Sequence, residues 1–139
     1  MMREMKIKSK IENLRIVEQF VDEISEEISL SKEMYGNIVI ATLEATNNAI
    51  LHGNKQNEDL DVEIFFEKSD KNVYLRVSDQ GNGFDYQNVP DPTAPENLEK
   101  INGRGIFLME KLSDSLEFER NGSVVTLSFN TDRKSTRLN

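Results

Sequence analysis

The hydrophobic spacing of this chain changes period along its length, and that change limits the folds open to it. Leu14, Val17, Phe20, Val21, Ile24 and Ile28 recur at three- and four-residue intervals, the spacing that gathers apolar side chains on one stripe of a helix. Leu30 and Ser31 interrupt the pattern, and Ser31 is suited to cap a second helix from about Lys32 to His52, which Gly53 stops. Beyond Gly53 the period falls to two. Val73, Leu75 and Val77 alternate with Tyr74, Arg76 and Ser78, so this run is a strand with one buried face. Asp61 to Glu67 is a β-rich partner, joined to it through the polar turn at 68–71. Met5, Ile7 and Ile11 suggest a short first strand, and Ile106 to Leu112 a further helix. Leu116 to Arg120 and Ser123 to Asn130 read as a hairpin, because Asn121-Gly122 suits a type I′ turn. The expected fold is an α+β two-layer sandwich: a mostly antiparallel sheet with helices on one face.

Composition narrows the function classes. At 139 residues, 37% hydrophobic and 30% charged, the chain has the length of one domain with a self-sufficient core. We expect a single domain over residues 1–131 and a disordered tail over 132–139, which carries Arg133, Lys134 and Arg137. Cysteine is absent and histidine occurs once, which leaves no disulfide framework and no Cys-based or multi-His metal site. No apolar run reaches the ~18 residues of a membrane span, and no secretory h-region is visible, so a cytoplasmic location is expected. Seventeen basic against 25 acidic residues give a net charge of -8. A field of that sign repels phosphate backbones and argues against direct nucleic-acid binding.

Three short stretches carry chemistry. Glu44 and Asn48 lie four residues apart, on one face of the second helix. Because Leu43, Ala45, Ala49, Ile50 and Leu51 surround them, the two polar groups face a cavity rather than solvent. Asn47 is the competing amide, but it falls one position off the Glu44 face. His52 lies two turns beyond Glu44, where a capping or solvent-facing role is expected. Asp79-Gln80-Gly81-Asn82-Gly83 follows directly on a strand, where glycines let backbone approach a ligand and a carboxylate can accept hydrogen bonds from an amine. Gly103-Arg104-Gly105 opens a helix, whose free N–H groups suit phosphate. Between them lies a long loop holding Pro90, Pro92 and Pro95, of a length that is usually functional. Phe84 and Tyr86 read as its anchors. Each stretch alone is common; their fixed order across about 60 residues is not.

In that order they resemble the ATPase superfamily of gyrase, heat-shock chaperones, histidine kinases and MutL. Glu44 to Gly53 looks like its N box, Asp79 to Gly83 its G1 box and Gly103 to Gly105 its G2 box. The short length and closing hairpin are most similar to the anti-sigma-factor serine/threonine kinases, over about Lys6 to Asn130. The resemblance implies a Bergerat-type fold binding ATP and Mg²⁺. Asn48 would be the metal ligand, Asp79 would receive the adenine amino group, and Gly81 and Gly83 would floor the base and ribose. Gly103, Arg104 and Gly105 would meet the phosphates, residues 84–102 would form a lid, and Glu44 would orient or deprotonate the attacking hydroxyl. The implied activity is phosphorylation of a Ser or Thr on an anti-sigma antagonist protein, with sequestration of a sigma factor otherwise; a homodimer is compatible with it. An ATP-gated binding module without transfer and a stand-alone histidine-kinase-like ATPase domain are the alternatives. The doubled amide Asn47-Asn48 departs from the family's single one, and the lid is short and proline-rich.

Overall fold

The computed structural model of the chain describes the backbone of residues 1–81 and 101–132, with side chains throughout those ranges except at 101–103. Five strands form one sheet: β1 (Met2–Lys8), β2 (Asp61–Lys68), β3 (Asn72–Ser78), β4 (Ser115–Glu119) and β5 (Val124–Asn130). Their spatial order is β1-β2-β3-β5-β4, and every neighbouring pair is antiparallel. Alternation puts Val62, Ile64 and Phe66 of β2 on the same side as Val73, Leu75 and Val77 of β3 and Val125, Leu127 and Phe129 of β5. The register aligns them into rows, with Ile64 opposite Val77 and Leu75 opposite Leu127. Burying one such side chain is worth on the order of 1.5–3 kcal/mol before chain entropy is counted.

Three helices cover that face: α1 (Leu14–Glu27), α2 (Lys32–Asn48) and α3 (Ile101–Leu112). They contribute Val17, Val21 and Ile24, then Ile38, Ala41 and Ala45, then Ile106, Met109 and Leu112 to one core. Ser31 caps α2 as expected, its hydroxyl accepting from the Met34 N–H at 3.1 Å, a contact worth about 1 kcal/mol. Tyr35 of α2 donates to Asp22 of α1 and ties the two helices together. That hydrogen bond, with burial and the Asp22 charge, pushes the Tyr35 hydroxyl up to about 12. The α+β sandwich expected from the hydrophobic periods is the architecture found.

Four boundaries differ from the sequence reading. Ile11 belongs to a short 3₁₀ turn, Ile11–Asn13, not to β1, because the chain leaves the sheet at buried Ser9, whose hydroxyl donates to the Leu60 carbonyl at 2.8 Å. α2 ends at Asn48 and passes into a π turn, Ala49–Gly53. α3 begins at Ile101, so Gly103-Arg104-Gly105 lies within the helix rather than opening it at Gly103. The β4–β5 connection is not a two-residue type I′ turn. Arg120, Asn121 and Gly122 all have positive φ (51°, 58° and 95°), and Glu119 pairs with Val124 around a four-residue loop.

Candidate functional site

The interior of α2 carries three buried polar side chains, and two of them are satisfied within the helix. Thr42 donates to the Ile38 carbonyl at 2.6 Å and Thr46 to the Thr42 carbonyl at 2.8 Å, the back-bonding open to a hydroxyl one turn along. Asn48 has no such outlet. It is 3% exposed, and neither Nδ2 nor Oδ1 has a hydrogen-bond partner among the described residues. An orphaned buried amide costs about 1–3 kcal/mol per group, so Asn48 is a candidate to meet a ligand, an ion or an ordered water. Asn47, the competing amide, is only half-buried.

Glu44 and Asn48 face the same neighbour. A Cβ placed on Gly105 of α3 would stand 3.1 Å from Glu44 Oε2, 3.2 Å from Asn48 Nδ2 and 3.4 Å from Asn48 Oδ1. The i, i+4 spacing therefore does bring carboxylate and amide to one place, and the missing side chain at Gly105 keeps it open. Arg104 is exposed beside it. Gly83, Phe84, Tyr86 and most of the expected lid fall at 82–100, outside the described residues; the tail beyond Asp132 does too.

Asp79 forms the other end of the site. Its N–H donates to the Ser123 carbonyl at 2.8 Å, pinning the end of β3 to the loop after β4, and its Oδ1 accepts from the Gly81 N–H at 2.9 Å. Burial pushes the carboxyl up to about 6, and the Gly81 hydrogen bond offsets part of that. No ion pair reaches it among the described residues. Asn48 and Asp79 line one small cleft together with Ala45, Ala49, Val77 and Val125. A half-buried carboxylate without a cation, at one end of a cleft with an orphaned amide, suits a ligand with a hydrogen-bond donor at one end and oxygen ligands for a cation at the other.

The π turn makes this corner. The Asn54 N–H reaches back to the Ala49 carbonyl at 2.8 Å and the Gln56 N–H to the Ile50 carbonyl at 2.7 Å. Such widened turns occur mainly as single insertions, frequently at functional sites. Gly53 is not a left-handed helix stop; positive φ falls instead at Lys55 and Gln56. What Gly53 provides is the absence of a side chain, since a Cβ there would overlap the Asp79 carboxylate, and one on Gly81 would overlap the Gly53 carbonyl. His52 differs from its expected capping or solvent-facing role. Its Nε2 is withdrawn from solvent without a partner among the described residues, and burial lowers its basicity. Asn54 and the Ser123 carbonyl were not singled out from sequence. Their contacts depend on which loops the sheet order brings together, and no local spacing encodes that.

Residues 7–129 match the family described as the histidine kinase-like ATPase domain. The chain belongs to that family. The match runs from Ile7 in β1 to Phe129 in β5, so it includes Glu44, Asn48, Asp79 and Gly105. The chain is also 26% identical over 130 residues to a protein of Oceanobacillus iheyensis named serine-protein kinase RsbW, covering 89% of this chain and 82% of that one. It is 29% identical over 108 residues to a Staphylococcus aureus protein of the same name, covering 72% and 68%. In fold it is similar to the crystal structure of the RsbU and RsbW domains of Rv1364c from Mycobacterium tuberculosis, with a TM-score of 0.66 at 18% identity. That likeness covers 98% of this chain, which spans about a third of the larger protein (34%). Among the described residues no helix is long and apolar enough to cross a membrane.

Proposed function

We propose that this chain is an ATP-dependent serine/threonine protein kinase that phosphorylates an anti-sigma antagonist protein and otherwise sequesters a sigma factor in the cytoplasm. The observation that carries the reading is the orphaned Asn48 amide held beside Glu44 at the side-chain-free Gly105. A neutral amide oxygen suffices for Mg²⁺ when phosphate oxygens and water complete an octahedral shell. Asn48 would hold that ion, which supplies charge neutralisation at the phosphates. Asp79 accepts the adenine amino group, and Gly81 and Gly83 leave room for base and ribose. Gly103, Arg104 and Gly105 meet the phosphates; with α3 starting at Ile101, the glycines act by permitting close approach along the helix. Glu44 orients the acceptor hydroxyl and takes its proton as the γ-phosphoryl group passes to the hydroxyl oxygen, its bond to the β–γ bridging oxygen breaking and ADP leaving. The relatives' name, serine-protein kinase, supports a Ser or Thr acceptor.

The acidic surface supports the partner assignment. A chain of net charge -8 favours basic protein surfaces of the kind that bind promoter DNA, and charge steers association more than it sets affinity. The direct test is incubation with labelled ATP, a candidate antagonist protein and a sigma factor from the same organism. Label on a Ser or Thr of the antagonist, with sigma binding restored as it accumulates, is the expected result. Nucleotide binding with no transfer would leave a nucleotide-gated binding module. Sigma association should slow clearly between ~50 and ~300 mM salt, and a salt-independent on-rate would remove charge as its cause.

Adenine recognition by Asp79 makes a pH prediction. The carboxyl is raised from 3.8 to about 6, and the ionised form is the stronger acceptor for an amino group. ATP affinity should therefore rise as pH is raised through about 6, and Asp79→Asn should flatten that step. Stability runs the opposite way. A raised folded-state value makes the contribution of Asp79 fully present below 3.8 and lost as pH rises through about 6. Titration calorimetry at several pH values reads the first effect, and a pH-independent affinity would remove Asp79 from base recognition.

A further inference from the structure

Asn54 follows the π turn and is 2% exposed. Every polar atom of its side chain is engaged, in contrast to Asn48. Its Oδ1 accepts from the Gln80 N–H at 2.8 Å. Its Nδ2 donates to the Asp61 carbonyl at 2.9 Å and to Ser9 Oγ at 2.8 Å. The Asp61 N–H in turn donates to Gln80 Oε1 at 2.6 Å. Asn54, Gln80 and Asp61 thus close a ring of three hydrogen bonds, and Ser9 extends it to the end of β1.

With Ser9, the ring joins three segments distant in sequence, at Ser9, at 54–61 and at Gln80, and the last is the peptide that follows Asp79. Without it the Asp79–Gly81 segment is held by the Ser123 contact at the Asp79 N–H and by its own turn, in which Gly81 donates back to the Asp79 carboxylate. Neither fixes the turn against Gly53, the glycine on which the carboxylate rests. Asn54 directly follows Gly53, so the clamp sets how the carboxylate seats on the π turn.

Resting on the adenine reading of Asp79, we propose that Asn54 is the positioning residue for base selection: it clamps the Gln80 peptide so that the Asp79 carboxylate is aimed at the purine 6-amino group. An amide is suited to this because it offers one acceptor and two donors from a single planar group. A wholly buried, satisfied amide also resists displacement, since any movement leaves polar atoms unpaired.

The test titrates the full chain with ATP and with purine riboside triphosphate, which lacks only the 6-amino group. The wild-type chain should prefer ATP. Asn54→Ala should lose about tenfold in ATP affinity, the scale of one hydrogen bond to a charged group, while affinity for the amino-less nucleotide changes less than about threefold. Ser9→Ala, which removes the Asn54 partner farthest from the loop, should keep the preference. Equal losses for both nucleotides would make Asn54 a general packing residue and overturn the proposal, as would an unchanged ATP affinity. Should Asn54→Ala not fold, Asn54→Ser decides: its shorter side chain keeps a polar group at the position but draws back from the Gln80 N–H. A reduced preference in that variant supports the clamp, and a full preference overturns it. A wild-type chain with no preference removes the adenine reading of Asp79 and this inference with it. A wild-type preference that survives in the variants overturns the inference alone.

Discussion

Asn48→Ala is expected to abolish Mg-dependent ATP binding in a chain that still folds. The amide lies at 3% exposure with neither polar atom partnered among the described residues, so no described group offsets its desolvation in the nucleotide-free protein. Removing the amide should cost at least about a hundredfold in Mg-dependent affinity, since it removes a contact to charge. Asn48→Leu sharpens the point. Leucine matches the branched shape of asparagine without its polarity, and should raise stability by about 1–2 kcal/mol, the penalty of a buried unsatisfied group. Chemical denaturation of the free protein, read beside nucleotide titration, would show stability rising as binding disappears. Unchanged affinity in Asn48→Ala would remove it from the site. A less stable leucine variant would mean that the amide is satisfied in the free protein.

That opposition between stability and binding also explains which parts of the site can be read in sequence. Strands and the first helix were legible because burial imposes a period on them: Val73, Leu75 and Val77 must share a face, as must Val17, Val21 and Ile24. Glu44 and Asn48 were legible because they break such a pattern, two polar residues in an apolar stretch at one-turn spacing. The choice of Asn48 over Asn47 followed from that spacing; in the structure Asn48 is buried and Asn47 half-buried. The π turn left no mark of its own. It is five residues long, too short for a period, and it seats a glycine against a carboxylate 26 positions later in the chain. Gly53 looked like a helix stop for the same reason: its partner, Asp79, is found only through the sheet order. Tertiary packing likewise overrode local preference in α3, which runs through two glycines that each cost roughly 1 kcal/mol in a helix. At Gly105 that cost keeps open the space beside Glu44 and Asn48.

The remaining large effect belongs to Glu44. Glu44→Gln should bind ATP with little change yet transfer phosphate at least ~10²-fold more slowly, the usual scale for losing a positioned base. Glutamine keeps the length and shape of glutamate, so the contact near Gly105, where Oε2 stands 3.1 Å from the position a Cβ would take, is preserved. What it loses is the ability to accept a proton. A base acts only as the acceptor hydroxyl attacks, so the defect should fall on kcat and leave nucleotide binding alone. Gly105→Ala provides the contrast. An added methyl would press on both Glu44 and Asn48, and should impair binding and transfer together. If Glu44→Gln instead weakens ATP binding and turnover by equal factors, the carboxylate serves the nucleotide complex as an orienting group rather than the proton. If transfer is untouched, proton removal does not limit the reaction at Glu44, and the acceptor protein must bring its own means of losing it.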